Sequence, residues 1–262
     1  MTFYLGTDRV HWLASAGVPL FVSHRQLTSR VSLPRATSPW ALDSGGFTEL
    51  STHGEWKTTP EQYVSAIRRY RDEIGMLQWA APQDWMNEPA MIERTGLSVP
   101  EHQRRTVENY LHLRDIAADL PIIPVLQGWD PDDYLRCADL YAAAGVDLAA
   151  EPVVGVGTVC RRQDTASGTA VLTELRTLGL SLHGFGVKVT GLRAFGALLT
   201  SSDSMAWSYR ARRAAGDRQA RGKSGSVDGC PKKTCAHCLH FALTWREALL
   251  RHEQGEPAWT LW

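Results

Sequence analysis

Eight short apolar runs, most of them separated by longer amphipathic stretches, set the first limit on how this chain folds. The runs are FYLG near residue 3, PLFVS near 19, WAL near 40, MLQWAA near 76, PIIPVLQG at 121, VDLAAEPVVG at 146, LHGFGVKV at 182 and MAWS at 205. Helix-like segments cover 60–74, 100–118, 131–145, 164–179 and 239–252. Alternation of this kind predicts a parallel sheet with helices crossing between its strands. Eight strand candidates favour a closed (β/α)8 barrel of the α/β class over an open doubly wound sheet, and the 262 residues suit one such barrel.

Three helix starts are written in the local sequence. Thr59-Pro60-Glu61 sets a cap, a first-turn proline and an acid in order; Ser98-Val99-Pro100-Glu101 and Asp130-Pro131-Asp132-Asp133 do the same. The stretch 214–234, rich in Gly, Ser, Lys and Arg, reads as a loop that is mobile or pinned by a metal. The expected organisation is therefore a barrel body from 1–213 and 239–262, interrupted by an insertion at 214–238.

Charge excludes some functions and localises others. The chain carries 28 Lys plus Arg against 28 Asp plus Glu, so no global field draws it to nucleic acid. A local one exists: Arg210, Arg212, Arg213, Arg218, Arg221 and Lys223 fall within fourteen residues opposed only by Asp217. Arg210, Arg212 and Arg213 are the expected phosphate contacts, although arginines on a helix also serve as a plain solvated face. The N-terminal stretch is interrupted by Asp8, Arg9 and His11 and lacks a signal-peptide layout, and no apolar run approaches a membrane span. The expectation is a soluble, cytoplasmic protein.

In a barrel, chemistry sits on residues that follow the strands, because all eight C-terminal ends open on one face. Asp43 follows WAL, Asp84 follows WAAPQ, Gln127 follows PVL, Glu151 follows LAA, Gly184 and Gly186 bracket Phe185, and Asp203 precedes MAW. Such an accumulation of acids in one mouth is costly unless a ligand or catalysis uses it. In DSGGF (Asp43, Ser44, Gly45, Gly46, Phe47) the glycines permit close approach of a flat ligand and Phe47 can shelter it; the same residues also make a tight turn with Asp43 as its cap. Asp84 and Gln127, the latter followed by Gly128, suit the polar edge of a base. Trp40, Trp79, Trp85, Trp129 and Trp207 lie nearby, most of them expected in the core and one or two as stacking walls. Asp203 has the chemistry to attack an anomeric carbon while Asp43 moves protons, the division of labour in retaining glycosyl transfer; the competing reading is a cap flanked by serines.

Five cysteines include a cluster, CPKKTCAHC, holding Cys230, Cys235 and Cys238. Three thiolates at this spacing predict structural zinc rather than a disulfide framework. His237, His240 and His252 compete for the fourth position, with His240 the expected ligand.

Together DSGGF at 43–47, APQDW at 81–85, VLQGW at 125–129, HGFGVKV at 183–189, SDSMAWS at 202–208 with the arginines behind it, and the late cysteine cluster resemble the tRNA-guanine transglycosylase superfamily. Within it the likeness is to the short branch that places 7-deazaguanine bases into DNA. The resemblance implies a (β/α)8 barrel with a small C-terminal zinc-binding subdomain. It implies Asp203 as the nucleophile on C1′ of the target nucleotide and Asp43 as the general acid and base. Asp84, Gln127 and Gly184 then grip the guanine-like base, and no redox cofactor is needed. The enzymes that act on tRNA carry CxCxxC and a distant histidine, whereas here the first gap is four residues and 24 residues follow Cys238. That moves the expected substrate to DNA, with a preQ0-like base incoming and partner proteins available to open the strands. The alternatives are a tRNA enzyme of the same chemistry, a non-catalytic zinc-dependent nucleic-acid-binding protein, and an unrelated barrel enzyme such as a glycosidase.

Overall fold

In chain order the strands are β1 (Thr2–Thr7), β2 (Leu20–Ser23), β3 (Trp40–Asp43), β4 (Leu77–Ala80), β5 (Val125–Leu126), β6 (Val154–Val156), β7 (Leu182–Gly184) and β8 (Ser201–Ser204). The structure is a computed structural model that describes residues 1–158, 166–220, 235 and 237–253. The strands form a single eight-stranded sheet in the order β4-β3-β2-β1-β8-β7-β6-β5, and the paired neighbours with a defined register are parallel. The ends of that order approach each other: Ala80 bridges Ile122 in parallel, the Ala80 N–H donates to the Pro121 carbonyl (2.9 Å) and the Ile123 N–H to the Ala80 carbonyl (3.1 Å). The sheet is therefore curled.

Side-chain alternation along the strands fills the inside of the curl. Tyr4, Phe21, Ala41, Trp79, Ala81 and Ile123 form one buried cluster, with Val153 and Phe185 packed against it. Trp79 donates its indole N–H to the Tyr4 hydroxyl (3.2 Å), which satisfies the polar handle of a buried ring. Phe3 and Leu5, the neighbours of Tyr4, are buried on the opposite face of the strand, as the period of two requires.

The larger helices are α3 (Pro60–Ile74), α5 (Val99–Ile116), α6 (Pro131–Ala143) and α7 (Ala166–Thr177), joined by the shorter α1 (His24–Leu27), α2 (Gly46–His53), α4 (Pro89–Thr95) and α8 (Val189–Phe195). The predicted caps form. The Gln62 N–H donates to the Thr59 hydroxyl (3.3 Å) and the Thr59 N–H to Gln62 Oε1 (3.0 Å), a reciprocal capping box. The Glu101 N–H donates to Ser98 Oγ (3.3 Å), and Asp133 accepts from the N–H groups of Trp129 and Asp130 (both 2.9 Å).

Three local expectations are corrected. The sixth strand is the second half of its run, VGV at 154–156, so Glu151 precedes the strand; it accepts from the Tyr110 hydroxyl (3.0 Å) and faces Arg114 (3.7 Å). The eighth strand is the polar SSDS at 201–204, fully buried, while MAWS opens a helix, because hydrogen bonding rather than apolar patterning stabilises that strand. Residues 214–220, loop-like in composition, continue the helix α9 (Ala206–Ala220).

The chain divides into two compact units, Met1–Asp203 and Ser204–Trp262. In the second, α9 packs on α10 (Leu239–Glu253), with Trp207, Ala211 and Ala215 buried on one helix and Phe241, Trp245 and Leu249 on the other, each set at a spacing of four. Among the described residues no helix is long and apolar enough to cross a membrane.

Candidate active site

Because the strands are parallel, the residues at their C-terminal ends share one side of the sheet in the first unit. Asp43 closes β3 and pairs in register with Ser23 at the end of β2. Its carboxylate accepts from the Gly45 N–H and the Ser23 hydroxyl. Burial raises its pKa above the usual carboxylate value; those two bonds and Arg25 pull it down, and the charge of Asp203 pushes it up again. The charge of Asp203 therefore reaches Asp43.

Gly45 lies at φ +82, and a Cβ there would stand 2.8 Å from Arg25 Cγ; one on Gly46 would stand 2.8 Å from the Trp56 ring. Packing by the protein's own side chains thus requires both glycines. Ser44 is buried, and Phe47, in the first turn of α2, keeps 48% of its surface exposed.

Asp84 lies in the loop after β4, with its pKa pushed up to about 7. Burial is the main cause, the charges of Asp43 and Glu88 add to it, and a hydrogen bond from Gln127 opposes it. Gln127, directly after β5 and fully buried, donates its Nε2 to Asp84 Oδ2. Its backbone carbonyl accepts from Gln103 Nε2 (2.6 Å) and its N–H contacts Cys137 Sγ (3.5 Å). Gly128 is a packing glycine, since a Cβ would stand 2.7 Å from the Tyr134 ring. Tyr63, buried beneath, donates its hydroxyl to the Ala81 carbonyl (2.7 Å), and both Asp43 and Asp84 raise its pKa.

Asp203, in β8, is buried rather than capping a helix. Its Oδ1 accepts from the Gly186 N–H (2.9 Å) and meets His183 Nε2 at 3.3 Å. His183, fully buried in β7, contacts Ser201 Oγ through Nδ1 (2.9 Å). Trp79, Phe185, Phe21 and Tyr4 surround it, with ring centroids 4.6 to 6.0 Å away. Gly186 at φ +63 turns its N–H toward the carboxylate. Gly184, the last residue of β7, is closely packed on the side where a Cβ would stand, 2.8 Å from Val187 and 3.0 Å from Leu199.

Sequence reasoning missed the end of β6. A Cβ on Gly157 would lie 2.5 Å from Gln127 Cδ, so only glycine leaves room for that amide. Thr158, buried at φ +65, donates its hydroxyl to Gln127 Oε1 (2.9 Å) and accepts from the Asn87 N–H (3.3 Å). A β-branched residue in this region costs about 1–3 kcal/mol and is concentrated at functional sites. The strand-end rule finds Thr158 once β6 is read as VGV; the misplaced strand pointed to Glu151 instead. The Asn87 side chain is itself buried, with neither polar atom paired among the described residues.

Of the tryptophans singled out, Trp40, Trp79, Trp85 and Trp207 are core and Trp129 is half-buried. Arg210, Arg212 and Arg213 are exposed on α9, where Arg212 also donates to Ser208 Oγ (2.6 Å). Cys235 and Cys238 are buried and joined by a Cys238 N–H to Cys235 carbonyl bond (3.2 Å), while His237 and His240 are exposed. Cys230 lies outside the described residues, among which no group of three or more His, Cys, Asp or Glu is arranged to hold a metal.

A family model described as DpdA, DeoxyPurine in DNA protein A, matches residues 1–259. No curated protein sequence matches the chain. Among solved structures, oxaloacetate acetylhydrolase in complex with the inhibitor 3,3-difluorooxalacetate matches over 99% of this chain and 94% of that one, at 13% identity and a TM-score of 0.45. That likeness is too loose to carry an argument.

Proposed function

We propose, from the premise that this chain belongs to the DeoxyPurine in DNA protein A family, that it is a pentosyltransferase that replaces guanine in DNA by a 7-deazaguanine base such as preQ0. The single observation that carries the reading is the set of acids at the strand ends: Asp43 senses Asp203, Asp84 senses Asp43, and Asp84 is paired with an amide. The curled sheet, with its Ala80–Ile122 bridge, is read as a (β/α)8 barrel, the architecture that gathers such residues at one mouth.

In this reading Asp203 Oδ1 is held by Gly186 and His183, which leaves Oδ2 to attack C1′ of an extruded nucleotide. The C1′–O bond forms as the C1′–N bond to guanine breaks, and the departing electron pair is neutralised by a proton from Asp43. Burial favours that protonated form. The incoming base gives its N9 proton back to Asp43 and attacks C1′, which releases Asp203. Asp84, Gln127 and Gly184 hold the polar edge of either base, with Ser44, Gly45, Gly46, Phe47 and Gly128 beside it. Exchange of one glycosidic bond for another needs no energy source.

Arg210, Arg212 and Arg213 are assigned to phosphate contact. Zinc suits the donor set of Cys235 and Cys238, two buried thiols one turn apart, with Cys230 and His240 as the proposed remaining ligands. It would supply structure only.

The test incubates the protein with guanine-containing DNA and preQ0, digests the DNA and analyses the nucleosides by mass spectrometry, with tRNA in a parallel arm. The modified deoxynucleoside, absent with Asp203→Asn, supports the proposal; product in tRNA alone, or in neither, refutes it.

A further inference from the structure

We infer that Thr158 is a positioning residue that fixes which way round the Gln127 amide is held, and so sets the hydrogen-bond pattern offered to the base. The inference rests on the reading above that Asp84 and Gln127 hold a base. It starts from proton counting. The Thr158 hydroxyl stands between the Asn87 N–H and Gln127 Oε1. A backbone N–H only donates, so one of the hydroxyl's two lone pairs accepts there, while its one proton goes to Gln127 Oε1. Gln127 Oε1 is then pinned to Thr158, and Nε2 is forced toward Asp84 Oδ2. One amide hydrogen remains beside the Asp84 carboxylate, a donor beside an acceptor, matching a ligand edge that has a carbonyl beside an N–H.

The choice of residue agrees with this role. At φ +65 glycine or asparagine would sit more comfortably, yet neither carries a hydroxyl. Threonine's branched Cβ stiffens χ1 and so aims the hydroxyl. Gly157 beside it lets the Gln127 amide approach the backbone. The next link has a built-in consequence. Without the hydroxyl, the amide is free to turn its oxygen toward Asp84, an arrangement that a carboxylate repels and a carboxylic acid satisfies. Amide orientation and Asp84 protonation are thereby linked.

The test uses the full chain with Thr158→Val, close in shape and equally branched, and Thr158→Ser, which keeps the hydroxyl. In the absence of ligand, Asp84 is titrated by carboxyl carbon NMR. Its midpoint is expected to rise in Thr158→Val and to stay at the wild-type position in Thr158→Ser. Calorimetric titration with 7-deazaguanine at pH 8 then gives about tenfold weaker binding for Val and affinity within about twofold for Ser, the loss of one charge-coupled hydrogen bond. An unchanged Asp84 midpoint in Thr158→Val, or a Ser variant that shifts with Val, overturns the inference. Failure of the wild-type protein to bind any purine base refutes the base-exchange reading instead and leaves the NMR result to decide the positioning role.

Discussion

Replacing Asp84 by asparagine makes the protein more stable at neutral pH while removing a residue of the proposed site. Asparagine has the shape of the protonated acid and still accepts from Gln127 Nε2, so packing is kept and only ionisation is lost. In the native protein Asp84 is raised from 3.8 to about 7 by burial, with Asp43 and Glu88 adding to it. Between those values the folded state holds a proton that the unfolded chain has released, so wild-type stability falls as pH rises, by at most about 1.4 kcal/mol per unit. Above pH 7 both states are ionised and the penalty levels off, at about 4 kcal/mol for a shift of this size. The variant escapes that slope. Urea unfolding followed by circular dichroism should give nearly equal stabilities at pH 4 and a widening gap in favour of Asp84→Asn up to pH 8. Parallel profiles for the two proteins would refute the claim that a buried, unwilling carboxylate is held beside Gln127.

Other outcomes follow from the same geometry. Gly157→Ala places a methyl against Gln127 Cδ and should cost about 1–3 kcal/mol in thermal or urea unfolding while weakening 7-deazaguanine binding; a neutral result would mean the amide has room to move. Pairwise replacement of Arg210, Arg212 and Arg213 by alanine should weaken binding to DNA and reduce the slope of log affinity against log salt by about 1 for each phosphate that is no longer neutralised; an unchanged slope removes them from the interface. Purified protein should contain about one zinc by elemental analysis, and Cys235→Ser or Cys238→Ser should lower that content together with the melting temperature. Equal zinc in both variants would place the metal elsewhere.

Much of the site was legible because strand ends in a parallel sheet are marked by a polar residue after an apolar run, and Asp43, Asp84 and Gln127 each obey that rule. Helix starts at Thr59, Ser98 and Asp130 were equally plain, since proline and a capping oxygen act over three or four residues. What failed were strands whose stability is not written in apolar letters. β8 is Ser-Ser-Asp-Ser, buried through bonds to His183 and Gly186 that no local pattern records, although Asp203 itself stood out. β6 is three residues long, and the apolar run before it hid its true end. Thr158 and Gly157 were lost with it, and His183 inside β7 was lost because a histidine among apolar residues signals nothing until its neighbours are known.

The central claim is that Asp203 becomes bonded to the sugar during exchange. Incubating the protein with guanine-containing DNA, without an incoming base, then digesting and sequencing the peptides by mass spectrometry, tests it at the atom concerned. The expected result is a deoxyribosyl adduct on the peptide that contains Asp203, absent in Asp203→Asn and discharged when preQ0 is added. An adduct on another residue, or base exchange that proceeds at full rate in Asp203→Asn, would contradict it.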